Sequence, residues 1–133
     1  MIENKTILIV EDEKPLLEAV KIKLESVGFS VVTARTAEQA IGYVQDLPKV
    51  DAIWLDHYLL GKETGLDFVA KLKNHEDWKK IPVFVVSNTA SPDKVKTYIS
   101  FGVTKYYAKI DYRLEQIIND INELLNKIKN NNE

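Results

Sequence analysis

Short apolar runs alternate along the chain with stretches whose apolar residues recur at helical spacing. Thr6-Ile7-Leu8-Ile9-Val10, Phe29 to Ala34, Ala52-Ile53-Trp54-Leu55, Val83-Phe84-Val85-Val86 and Lys105 to Ala108 read as five strands. Between and after them the spacing predicts five helices. The first has Pro15 in its opening turn, Leu17, Val20, Leu24 and Val27 on one face, and Gly28 as a stop. The second opens on the capping-box pattern Thr36-Ala37-Glu38-Gln39, carries Ala40, Tyr43, Val44 and Leu47, and ends at Pro48. The third runs from Leu66 to Leu72 with Phe68, Val69 and Leu72 inward. The fourth starts with Ser91 as cap and Pro92 at the first helical position, and ends at Gly102. The last, from about Tyr112 to Ile128, carries a broad stripe that includes both Ile117-Ile118 and Leu124-Leu125.

Strict alternation of strand and helix, with strands apolar throughout rather than every second residue, predicts a parallel sheet covered on both faces. The expected fold is α/β: a flavodoxin-like three-layer sandwich with a five-stranded parallel sheet in the order 2-1-3-4-5 and five helices. One domain is predicted over residues 1–129, followed by a polar tail over 130–133, with fraying from about Lys129.

Composition narrows the chemistry. The 133 residues carry no cysteine, which excludes disulfide scaffolds, thiolate metal sites and cysteine nucleophiles. A net charge of -2 gives no electrostatic reason for nucleic-acid binding. No apolar stretch approaches the ~20 residues that span a bilayer, and the acidic start Met1-Ile2-Glu3 is unlike a signal peptide, so membrane insertion is not expected and the cytoplasm is the default location.

In this strand order ligands bind beyond the carboxyl ends of strands one and three. Those strands end at Glu11-Asp12-Glu13 and at Asp56; strand four ends at Ser87-Asn88-Thr89 and strand five near Lys109. Taken singly, each of these is an ordinary cap, strand-end hydroxyl or solvated charge, and Glu13 keeps that reading. Together they put carboxylates, a hydroxyl and an ammonium on one rim. Buried carboxylates are costly to bring together without a cation, so the rim suggests a hard metal ion, Mg²⁺ or Mn²⁺, held through one or two carboxylates and water. His57 reads as a loop residue, because such an ion prefers oxygen. His75 reads as solvated and Trp54 as core.

These residues resemble the receiver domain of two-component response regulators, of the stand-alone chemotaxis type, over essentially the whole chain. Ile7 to Glu13 is similar to the family's acidic opening, Asp56 falls on its phosphoacceptor, Ser87 on its Ser/Thr position, Tyr106 on its aromatic switch position and Lys109 on its lysine. The resemblance implies a metal site of Glu11, Asp12, Asp56 and the backbone carbonyl of Tyr58. It implies phosphoryl transfer to Asp56 from a sensor histidine kinase or histidine phosphotransfer protein, assisted by Lys109 and Ser87. Ser87 and Tyr106 would then switch the surface of the fourth helix, fifth strand and fifth helix toward a downstream protein target. The domain would be a monomer or a phosphorylation-dependent homodimer. It would not be an enzyme in the ordinary sense.

The chain departs from the family pattern at Ile110 and Leu60, where proline is usual, at Asn88, where a small residue is usual, and at Tyr58, which is large for its position. Tyr58 and Asn88 are therefore expected to modulate the site. Two other classes remain: a degenerate receiver that only binds partners, and a haloacid-dehalogenase-like phosphatase. The latter needs a second Asp two residues after the nucleophile, where this chain has Tyr58.

Overall fold

The computed structural model describes residues 4–88 and 91–131. The acidic start, Thr89 and the last two residues of the predicted tail lie outside them. Ten elements alternate: β1 (Thr6–Val10), α1 (Lys14–Ser26), β2 (Ser30–Ala34), α2 (Ala37–Asp46), β3 (Ala52–Leu55), α3 (Gly65–Lys73), β4 (Val83–Ser87), α4 (Pro92–Ser100), β5 (Lys105–Ala108) and α5 (Leu114–Asn131). The five strands form one sheet in the order β2-β1-β3-β4-β5, and every pairing is parallel. This is the flavodoxin-like sandwich that the alternation predicts.

The side-chain period of two sorts the strands into two apolar layers. Leu8, Val10, Ile53, Leu55, Val83 and Val85 pack with α2, α3 and α4. Ile7, Ile9, Ala52, Trp54, Phe84 and Val86 pack with α1 and α5. Strands β3 and β4 are buried at every position because both faces are covered, which is why their sequences run apolar without interruption. The stripe of α5 is absorbed in the same way: Ile117, Ile118, Ile121 and Leu125 are buried against the sheet and α1.

The helix starts follow local chemistry. Thr36 accepts from the Gln39 N–H, but the Gln39 side chain accepts from Arg35 instead of closing the box on Thr36. Ser91 caps α4 through the Lys94 N–H, as its sequence predicts. A complete capping box stands at Thr64 and Asp67, each side chain accepting from the other's N–H. It starts α3 one residue earlier than the apolar periodicity does. α5 continues through Asn131, so Lys129 to Asn131 extend the helix where a fraying polar tail is predicted. His75, read as solvated, is half-buried and stacks on Trp78 with ring centroids 3.7 Å apart.

Candidate functional site

The sheet ladder continues one residue past each central strand and thereby fixes the rim. Glu11 N–H donates to Ala34 O at 3.0 Å, Asp56 N–H to Val10 O at 2.9 Å and Lys109 N–H to Ser87 O at 2.9 Å. With these backbones held, the strand alternation carries Glu11, Asp56 and Lys109 toward the α1/α5 side. Ser87 and Tyr106 have the opposite parity, that of the layer holding α4.

Three carboxylates converge there. One oxygen from each of Glu11, Asp12 and Asp56 lies within 4.8 Å of the others. Glu11 is fully buried and Asp56 nearly so, while Asp12 is half-buried. Lys109 Nζ bridges the two buried groups, 2.9 Å from Glu11 Oε1 and 3.3 Å from Asp56 Oδ2. The described peptide bonds are all trans, that between Lys109 and Ile110 included, and the ammonium still reaches both carboxylates.

Burial and the charge of Asp56 push the Glu11 carboxyl from its usual 4.5 up to about 7, against the opposing pull of Lys109. Burial draws the Lys109 ammonium down, but the hydrogen bond and charge of Glu11, together with Asp56, outweigh it and leave it raised. One ammonium thus faces two buried carboxylates and does not neutralise both. Among the described residues Asp56 Oδ1 is buried with no hydrogen-bond partner. An all-oxygen donor set with surplus negative charge and an orphaned acceptor fits Mg²⁺ or Mn²⁺.

Ser87 ends β4 and is fully buried. Tyr106 is half-buried on β5, with its ring tilted against Tyr98 of α4. Asn88 follows Ser87 and is exposed. Tyr58 stands in the loop after β3; its hydroxyl accepts from Lys94 Nζ at 3.1 Å and its ring lies beneath that ammonium. The ring is therefore turned toward α4 and half exposed. Leu60, Ile110 and Tyr112 are other apolar side chains exposed around the same end.

Several contacts that build the site escape a reading of the sequence. Arg35 donates from Nε and Nη2 to the backbone carbonyl of Asp12, at 3.2 and 2.8 Å, and so holds the loop that carries that ligand candidate. His57, expected only as a loop residue, lies 2.6 Å from the Tyr98 hydroxyl through Nδ1. A Cβ on Gly65 would stand 2.5 Å from the Asp56 carbonyl oxygen, so only glycine permits this approach of α3 to the phosphoacceptor candidate. None of these pairs has a fixed sequence spacing. Thr64-x-x-Asp67 does, and that box could have been found.

Among the described residues no helix is long and apolar enough to cross a membrane. Residues 7–122 match the family described as the response regulator receiver domain. The chain is 32% identical over 106 residues to the phosphate regulon transcriptional regulatory protein PhoB of Pseudomonas aeruginosa, covering 80% of this chain and 45% of that protein. It is likewise 32% identical over 108 residues to the transcriptional regulatory protein YvrH of Bacillus subtilis, covering 80% and 44%. It therefore spans less than half the length of these curated relatives.

Among solved structures, the phosphorylated cyanobacterial phytochrome response regulator RcpA is 27% identical with a TM-score of 0.78, over 92% of this chain and 91% of that one. A CheY-like receiver domain from Methanospirillum hungatei shares the fold, with a TM-score of 0.86 at 22% identity over 97% and 99%. The family match covers both apolar layers and the whole acidic rim, and the chain belongs to the response regulator receiver domains of two-component signalling.

Proposed function

We propose that Asp56 accepts a phosphoryl group from the phosphohistidine of a sensor kinase or of a histidine phosphotransfer protein. The observation that carries this is the buried, unpartnered Asp56 Oδ1 set among two further carboxylates and one ammonium. A carboxylate oxygen of Asp56 attacks phosphorus, a P–O bond forms, the P–N bond breaks, and the imidazole leaves with its electron pair and a proton taken from solvent. Phosphoryl transfer needs in-line placement and charge neutralisation more than covalent assistance. Glu11, Asp12, Asp56 and the Tyr58 carbonyl would hold Mg²⁺ or Mn²⁺, Glu11 by way of water, and the ion would neutralise charge on the phosphoryl oxygens. Lys109 turns its ammonium from Glu11 to one of these oxygens, and the Ser87 hydroxyl donates to another. Asn88 and Tyr58 modulate access.

In this reading Ser87 is drawn inward, Tyr106 follows into the vacated space, and the surface formed by α4, β5 and α5 changes its affinity for a protein target. In the same reading the domain works in the cytoplasm, as a monomer or a phosphorylation-dependent homodimer, without itself contacting nucleic acid or membrane. The relatives named as transcriptional regulators are about twice as long, so such an output is not carried over.

The test is incubation with acetyl phosphate and Mg²⁺. Acid-stable, hydroxylamine-labile phosphate should appear on the wild type and be absent from Asp56→Asn. No incorporation, with a partner still bound, would favour a phosphorylation-independent interaction module instead.

A further inference from the structure

Tyr98 and His57 stand outside the reacting groups but connect them to α4. Tyr98 is fully buried, and its hydroxyl lies 2.6 Å from His57 Nδ1. Burial pushes the phenol well up, so it keeps its proton; burial and the charge of Lys94 hold the imidazole below its ordinary value. Both groups are neutral in this setting, and they share one hydrogen bond.

His57 directly follows Asp56 in the chain, and its carbonyl accepts from the Gly65 N–H at 2.8 Å. A Cβ on Gly65 would come within 2.9 Å of the Tyr98 hydroxyl, so the bare start of α3 is what lets that hydroxyl reach the loop. On its other side the Tyr98 ring tilts against Tyr106, with centroids 5.6 Å apart. One side chain of α4 thus touches both the neighbour of the phosphoacceptor candidate and the aromatic of β5.

We propose that Tyr98 is a positioning residue: through its hydrogen bond to His57 it fastens α4 to the end of β3 and passes a rearrangement at Asp56 on to α4. The inference rests on the phosphoacceptor reading. It adds to that reading a link that does not run through Ser87. A buried hydroxyl left without a partner bears its full desolvation penalty, so when the Asp56–His57 backbone moves, α4 follows rather than releasing the bond.

The experiment compares amide NMR spectra of the full chain with and without Mg²⁺ and beryllofluoride, a non-covalent occupant of the phosphoryl position. In the wild type, amides of Glu11, Asp12 and His57 shift, and so do those of α4 from Lys94 through Ser100. Tyr98→Phe keeps the ring packing and removes the bond. His57→Ala removes it from the other, only half-buried end, which guards against loss of folding in the first variant. In each, the rim shifts persist while the ratio of shifted to unshifted α4 falls about fivefold, the bias of one net hydrogen bond. The double variant falls no further than either single one, because both delete the same bond. A merely structural role would make the two losses add. Rim shifts accompanied by a wild-type α4 response in a folded variant overturn the link alone. Absence of rim shifts in the wild type overturns the phosphoacceptor reading and the link with it.

Discussion

Replacing Glu11 by Gln should make the metal-free protein more stable above neutral pH and less stable in acid. Glu11 is fully buried, with Oε1 2.9 Å from Lys109 Nζ and Oε2 accepting from the Glu13 N–H. Its carboxyl titrates at about 7 in the folded protein and at 4.5 in an ordinary setting. Between those values the folded state binds more protons than the unfolded one, so stability falls as pH rises through the window. At about 1.4 kcal/mol per pKa unit, the shift costs about 3 kcal/mol, present in full above pH 7 and absent below pH 4.5. Glutamine removes this term, keeps an acceptor for Lys109, and sets an NH₂ against the Glu13 N–H at a cost of about 1 kcal/mol.

The variant should therefore gain about 2 kcal/mol at pH 8, near 8 °C in Tm, and lose about 1 kcal/mol near pH 4.5. Urea unfolding followed by circular dichroism in a chelating buffer at several pH values reads the difference, in which the other titrating groups cancel. Wild-type and variant curves that stay parallel across the range would refute the reasoning: Glu11 would then be ionised throughout, with pairing to Lys109 outweighing burial. Added Mg²⁺ at pH 8 should narrow the gap, since it neutralises the surplus charge of the wild type.

Gly65→Ala should cost about 2–4 kcal/mol, because its Cβ meets a carbonyl oxygen at 2.5 Å and a hydroxyl at 2.9 Å on parts with little room to give; urea midpoints measure it. Arg35→Gln should weaken Mg²⁺ binding about tenfold, through the freed Asp12 loop, with little change in Tm; fluorescence titration of the buried Trp54 checks it. Tyr58→Asn should hasten loss of the phosphoryl group a few-fold, by removing a bulky side chain two residues after Asp56 together with its contacts to Lys94; an unchanged or slower rate of dephosphorylation counts against shielding.

The sequence announces what the sheet decides and conceals what the loops decide. Ile7 to Val10 and Val83 to Val86 run apolar because both faces are covered, and this made the parallel sheet and its order legible. Order in turn located the rim, since ligands sit beyond the carboxyl ends at the switch between β1 and β3. Glu11, Asp56, Ser87 and Lys109 were found by that logic. His57 with Tyr98 and Arg35 with Asp12 are pairs separated by 41 and 23 residues, joined by loop geometry with no periodicity of its own. Gly65 carries no pattern of its own in the sequence; that a carbonyl oxygen stands where its Cβ would be is visible only in three dimensions.

The same division explains how the domain tolerates its own site. Two buried carboxylates against one ammonium are a net cost, which Lys109 and the Glu13 N–H offset only in part. The rest of the offset comes from elsewhere: β3 and β4 are buried at every position, and their apolar layers hold the rim backbones through ladder bonds that continue past the strands. The rim can then stay charged without collapsing, which is what a site that gains free energy from an incoming cation and phosphoryl group requires. How that gain is spent depends on the loops. In the mechanism proposed above, the bonds from Tyr98 to His57 and from Arg35 to Asp12 would set which neighbouring element moves when the charge is relieved. On that proposal, two chains with the same strand-end residues would share the chemistry and differ in response, and this one's individuality would lie in Tyr58, His57 and Tyr98 rather than in Asp56.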